Sequence, residues 1–200
     1  LSAAIPLGWD AFEALLEGAA EMDRHFRFAE PAENIPLIAA FADRLYVEDR
    51  GCQTRAVFAY DERLRHLPFY LQQLEMESNG KSVRKDGKPV PHATAPVTWG
   101  GTGTDAQHAV FQLLHQGTVP VPVEFIAVSA AADDQAPEHH RLLLPNAFAQ
   151  ASALMEGRQS DDPQRSYSGT RPSTTILLDR LDPRTHKALI AFYENRTFAN

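Results

Sequence analysis

Cysteine is nearly missing from this chain of 200 residues: Cys52 stands alone. No internal disulfide can form, and a reducing, cytoplasmic setting is the expectation. No apolar run approaches the roughly 20 residues needed to span a bilayer. The first residues lack the basic start and apolar stretch of a secretory signal. No membrane partner is therefore expected. Positive charge is not in excess either. Lys and Arg number 19 against 26 Asp and Glu, a net charge of −7. No basic patch marks a nucleic-acid partner. Internal repeats and low-complexity tracts are lacking too. The chain also lacks an initial Met and opens on "LSAAIPLGWD", which raises the expectation of a piece cut from something longer.

What is present suits one globular domain over residues 1–200. Hydrophobic residues make up 44%, enough for a sizeable core. Trp9 to about Phe28 reads as helix. Asn34 to Gly51 reads as a second, with Asn34 as cap, Pro36 in the first turn and Gly51 as stop. "RAVFAY", Arg55 to Tyr60, has the apolar density of a buried strand. In the next segment Leu64, Leu67, Leu71 and Leu74 recur at helical spacing. "SVRKDGKPV" signals a small hairpin turning at Asp86-Gly87. Strand and helix then alternate through "APVTW", Asp105–Gln116, "VPVEFIAV", Pro137–Gly157, "TTILLDRL" and Pro183 to about Arg196, with a polar loop from Asp161 to Pro172. That alternation predicts an α/β fold, a three-layer αβα sandwich on a mainly parallel sheet. Ligands of such sheets sit beyond the carboxyl ends of the strands, so the loops after Tyr60, Trp99, Ala130 and Leu181 draw attention.

The stretch "QLEMESNGKSV" carries a chemical question. Gln73 and Glu77 are four residues apart and share a helix face at the border of the leucine stripe. Partial burial there would raise a carboxyl toward general-base range. Periodicity alone favours a solvated helix end. Glu75, two residues away, cannot face Glu77, so a paired-carboxylate glycosidase has no support. "GGTGTDAQHAVFQLLHQG" is a strand-to-helix turn. Its Gly101, Gly103 and Ala106 match a dinucleotide-type G-x-G-x-x-A. The acidic partner such a site needs about 20 residues on falls at Glu124, which starts its strand rather than ending it. No cofactor is therefore expected. The surviving reading is a flexible loop leading into a helix with His108 in its first turn. His108 and His115 lie about 10 Å apart along such a helix, too far to share one ion. His139 and His140 point apart, so no metal site is expected. A nucleophile elbow is missing.

Resemblance goes further. "QQLEMESNGKSV", "WGGTGTDAQHAVFQLLHQGT", "GTRPSTTILL" and "YDERLRHLPFYLQQ" closely resemble stretches of the phosphoglucose isomerase family, in collinear order along essentially the whole chain. Glu77 and His108 are 31 residues apart, the family's spacing between its base and its histidine. The match is to the second of the family's two sugar-isomerase (SIS) domains. The resemblance implies an aldose–ketose isomerase of glycolysis and gluconeogenesis, interconverting glucose 6-phosphate and fructose 6-phosphate through a cis-enediol. By it, Glu77 is the catalytic base, Gln73 contacts the sugar beside it, and His108 assists ring opening from the neighbouring subunit of a homodimer. Where the family usually reads W-G-E-P-G-T-N-G-Q-H, this chain has W-G-G-T-G-T-D-A-Q-H. The resemblance also implies parts outside the chain. These are a first domain with the phosphate-binding Ser/Thr loop, an arginine just before Leu1, and a ring-opening lysine beyond Asn200. The isolated piece is accordingly expected to be inactive. The alternative is a non-catalytic SIS module that binds a sugar phosphate, although a sensor has no need of a base.

Overall fold

A computed structural model describes residue 2, residues 4–132 and residues 137–200. A single turn, α1 (Ala4–Leu7), leads into the long helix α2 (Trp9–Phe28), and α3 (Ile35–Arg44) follows. The Asn34 side chain accepts from the Leu37 amide at 3.2 Å, so α3 starts where its cap is. Beyond Arg44 the helix widens into a π turn, Leu45–Asp49. Gly51 then turns the chain with a φ of 65°, a conformation that suits glycine. Cys52, a buried free thiol, precedes the first strand.

The core is a four-stranded sheet, β1 (Thr54–Tyr60), β2 (Val97–Thr102), β3 (Val123–Val128) and β4 (Ser173–Leu178), in the order β2-β1-β3-β4. All pairings are parallel. The crossovers are α4 (Leu67–Leu71), which continues as a π turn over Gln72–Glu77, then α5 (Gly103–Gln116) and α6 (Pro137–Glu156). The last helix, α7 (Pro183–Ala199), starts where the Asp182 carboxylate accepts from the Thr185 amide. The α/β sandwich expected from the alternation is thus the fold found.

Side chains alternate across a strand. Ala56, Phe58 and Tyr60 of β1, with Val123, Phe125 and Ala127 of β3, pack under Phe111 and Leu114 of α5 and Ala147 and Leu154 of α6. Val57, Ala59 and Ile126 face the opposite layer, where Leu64, Leu67 and Leu71 meet Leu189, Phe192 and Tyr193 of α7. β1 and β3 are buried on both sides, which explains their unbroken apolar reading. Leu64, Leu67 and Leu71 form the expected inward stripe, with Leu74 half-buried. The expected hairpin at Ser82–Val90 reduces to one antiparallel bridge, Val83 to Pro89, around a turn with Gly87 at φ 79°. No described helix is long and apolar enough to cross a membrane.

Helix α2 forms an outer layer on α7. Gly18 sits so close to this partner that an added Cβ would land on the main-chain carbonyl of Arg184. Gly18→Ala must push the two helices apart. Overpacking of this kind costs about 1–3 kcal/mol, so a lower melting temperature is expected by calorimetry. An unchanged melting temperature would mean that α2 parts from α7 without loss.

Candidate active site

The segment bearing Glu77 begins at the carboxyl end of β1. Asp61 caps a short turn by accepting from the Arg63 amide, and Pro68 stands in the first turn of α4. A crossover helix in a parallel sheet must return to the amino edge before the next strand can start. Gln73 and Glu77 therefore end up near the amino ends of the strands, not beyond their carboxyl ends. Glu75 fixes this placement: it is held by Arg55 and Thr98, which stand opposite each other in register near the starts of β1 and β2. From Gln72 to Glu77 the turn is π-helical, a local widening frequent at functional sites. Gln73 and Glu77 are both exposed and Glu75 is buried. Glu77 is the solvated helix end that periodicity favours, because its side faces away from the sheet.

His108 lies elsewhere. Helix α5 begins at Gly103, two residues before the expected Asp105, which puts His108 in its second turn rather than its first. It is exposed, near the carboxyl edge, on the helix that covers the opposite face of the sheet from α4. The neighbouring Gln107 donates from Nε2 to the Tyr60 hydroxyl at 2.6 Å and to Asn146 Oδ1 at 2.9 Å, tying α5 to β1 and α6. A Cβ at Gly103 would collide with the Tyr60 ring, so the start of α5 sits directly on the end of β1. Gly101 and Thr102, expected in a flexible loop, are instead the last residues of β2 and pair with Phe58 and Ala59. Within one chain, Glu77 and His108 thus occupy opposite edges and opposite faces of the sheet. Gln73 and Glu77 stand in one π turn and are both exposed, whereas His108 belongs to α5. A cleft of about 310 Å³ opens beside Glu75 and Asn79, and an apolar cavity of about 460 Å³ lies between α3, β4 and α7. Gln73, Glu77 and His108 line neither. Among the described residues no cluster of three or more His, Cys, Asp or Glu is arranged to hold a metal ion.

Behind Glu77 lies a buried ionic cluster that periodicity does not reveal. Arg55, Glu75, Glu124 and Arg196 are each 5% exposed or less. Arg55 donates to Asp43 at 2.7 Å and to Glu75. Thr98 donates to Glu75 at 2.8 Å. Arg196 donates to Glu124 at 2.7 Å and to Glu75. The Tyr193 hydroxyl donates to Glu124, and the Arg196 guanidinium lies 4.6 Å from the centre of the Tyr193 ring. Burial alone would push the Glu75 carboxyl up. Arg55 and Arg196, with the hydrogen bonds from Arg196 and Thr98, outweigh it and hold the group below the ordinary carboxylate range. Burial likewise opposes the charge on Arg196, but Glu124, Asp43 and Glu75 hold its pKa well above the ordinary value. The sequence carried a signal: a charged residue inside a strand buried on both faces, as Glu124 is in "VPVEFIAV", must have a partner.

The comparisons with known proteins bear on the whole chain. Residues 1–200 match the family model for phosphoglucose isomerase. The chain is 69% identical over 197 residues to a glucose-6-phosphate isomerase of Rhizorhabdus wittichii, covering 98% of this chain and 39% of that protein. It is 64% identical over 198 residues to one from Zymomonas mobilis, covering 99% and 39%. The crystal structure of a glucose-6-phosphate isomerase from Chlamydia trachomatis matches with a TM-score of 0.90 at 37% identity, over 96% of this chain and 38% of that one. A hypothetical protein from Thermus thermophilus, 22% identical with a TM-score of 0.70 over 93% and 43%, shares the fold alone. The chain spans about two fifths of the length of the curated relatives it matches.

The cluster makes stability depend on pH. A carboxyl whose pKa is depressed in the folded state adds stability that is complete above its unfolded value, about 4.3, and lost as pH falls through the folded one. The stability gap between the parent chain and Glu75→Gln is expected to be widest near neutral pH and to close as pH drops below about 4. Arg196→Met leaves two buried carboxylates short of a cation and is expected to lose about 3–5 kcal/mol in denaturant unfolding. A gap that stays constant down to pH 2 would mean that Glu75 is not charged in the folded protein.

Proposed function

Because the chain belongs to the phosphoglucose isomerase family, we propose that it supplies the proton-transfer part of a glucose-6-phosphate isomerase site. The observation that carries this reading is the family match over residues 1–200; the roles of Gln73, Glu77 and His108 follow from their resemblance to the family's motifs. Glu77, exposed at the end of its π turn, is the base. It takes the proton from C2 of open-chain glucose 6-phosphate while the C1 carbonyl oxygen gains one, giving the cis-enediol. The proton then returns to C1 and the C2 hydroxyl gives up its own, leaving fructose 6-phosphate. Gln73, on the same side, contacts the sugar next to that carboxylate. A carboxylate is suited to this shuttle because it accepts and returns a proton without leaving its place.

The separation of His108 from Glu77 supports a site shared between two copies of the protein. One copy brings the base and the other brings His108, which assists ring opening, so the active form is a homodimer. The grip on the sugar phosphate and the ring-opening lysine come from the remainder of the parent protein. That grip holds the reacting carbons against the base and so contributes to rate as well as to affinity. The setting is the cytoplasm, and the chemistry is a step of glycolysis and gluconeogenesis.

In the intact parent, Glu77→Gln is expected to lower kcat by about 10²–10⁴-fold or more, with little change in KM. The amide keeps the shape but cannot accept the proton. Near-normal kcat would move the base elsewhere and leave a sugar-phosphate-binding role for this stretch. The 200-residue chain alone should show no turnover in a coupled assay of fructose 6-phosphate conversion. Sharing of the site has its own test. Co-refolding equal amounts of inactive Glu77→Gln and His108→Ala parents gives half heterodimers, each with one intact site. About a quarter of wild-type activity should return. No recovery would place both residues in one subunit's site.

A further inference from the structure

Glu77 is bracketed by two ties to the same helix end. Two residues before it, Glu75 accepts from Arg196 of α7. Two residues after it, the Asn79 side chain donates from Nδ2 to the main-chain carbonyl of Thr197, at 3.1 Å. Arg196 and Thr197 are consecutive, in the last turn of α7. Arg196 is itself fixed: its other nitrogen is bound to Glu124 of β3 at 2.7 Å, and its guanidinium lies over the Tyr193 ring. The second oxygen of Glu75 is taken by Arg55 and Thr98. The Lys81 ammonium donates to the main-chain carbonyl of Glu77, closing the helix end just beyond it.

Geometry turns these ties into an aim. In an α-helix or a π turn, side chains two apart lie about half a turn from each other and point to nearly opposite sides. Drawing Glu75 inward therefore presents Glu77 outward, and anchoring Asn79 stops the chain from rotating about that first anchor. We propose that the last turn of α7 is a positioning clamp for Glu77, acting through Arg196 on Glu75 and through the Thr197 carbonyl on Asn79. Arg196, Glu75 and Asn79 are positioning residues, and Glu77 alone of these meets substrate. The inference rests on the reading of Glu77 as the base. It adds that the place of the base is set by an element more than 100 residues downstream. A misplacement of 1 Å from a distant change can lower a rate by about 10²-fold.

The test uses the intact parent. Asn79→Leu keeps the size, removes the donor and leaves the ionic cluster untouched. Arg196→Lys keeps the charge and loses the two-pronged geometry. In each variant that folds, judged by its melting curve, kcat is expected to fall about 10-fold or more while KM stays within about 2-fold. In Asn79→Leu/Glu77→Gln, the rate should fall no further than in Glu77→Gln alone, because residues acting through one group are not additive. Wild-type kcat in Asn79→Leu and Arg196→Lys beside an inactive Glu77→Gln overturns the clamp and spares the base. So does a loss that multiplies in full with Glu77→Gln. Near-normal kcat in Glu77→Gln takes down the base and the clamp together.

Discussion

Glu75 is a carboxylate with almost no water around it, and two arginines from distant parts of the chain keep it charged. Arg55 comes from the start of β1 and Arg196 from the end of α7. Through them, α3, the π turn, β1, β2, β3 and α7 meet at one point, because Asp43 and Glu124 accept from the same two arginines and Thr98 donates to Glu75. A single charge left unpaired there would cost several kcal/mol, so none of these elements moves alone. The apolar layers hold the sheet and helices together; the charges decide how the amino edge is assembled.

An apolar filling of the same volume could match this cluster in stability. What it could not supply is direction. Hydrophobic burial scales with area and tolerates sliding, whereas a guanidinium fork meets a carboxylate in few orientations. The apolar contacts of Leu71 in the layer of Val57 and Ala59 carry no directional preference of that kind. Glu75 allows no such slide, with its two oxygens bound to three donors on three elements. The chain thus uses apolar contacts where bulk is needed and ion pairs where register matters, next to the one stretch whose placement the proposed chemistry depends on.

Much of the fold was legible because it rests on patterns of short range. "RAVFAY" and "VPVEFIAV" are apolar throughout since both faces of their strands are covered, and Asn34, Asp182 and Gly51 mark helix ends by local chemistry. The ionic cluster was not legible in the same way. Its members are separated by up to 153 residues, from Asp43 to Arg196, and nothing local distinguishes Arg196 from a solvated arginine. Glu124 was the one visible clue, a carboxylate where β3 admits no water. The motif residues Gln73, Glu77 and His108 were found through resemblance. Spacing alone put Gln73 and Glu77 on one helical segment, but it could not tell which edge of the sheet they would reach.

That edge follows from connectivity. In a parallel sheet the first turn of a crossover helix lies at the carboxyl edge and its last turn at the amino edge. His108 is near the beginning of its helix and Glu77 at the end of its own, so one chain holds them at opposite ends. The two crossovers also cover opposite faces. A loop adjustment within one chain does not bridge that separation. If both residues act on one sugar, as proposed, the connectivity of the sheet requires that they come from two different copies.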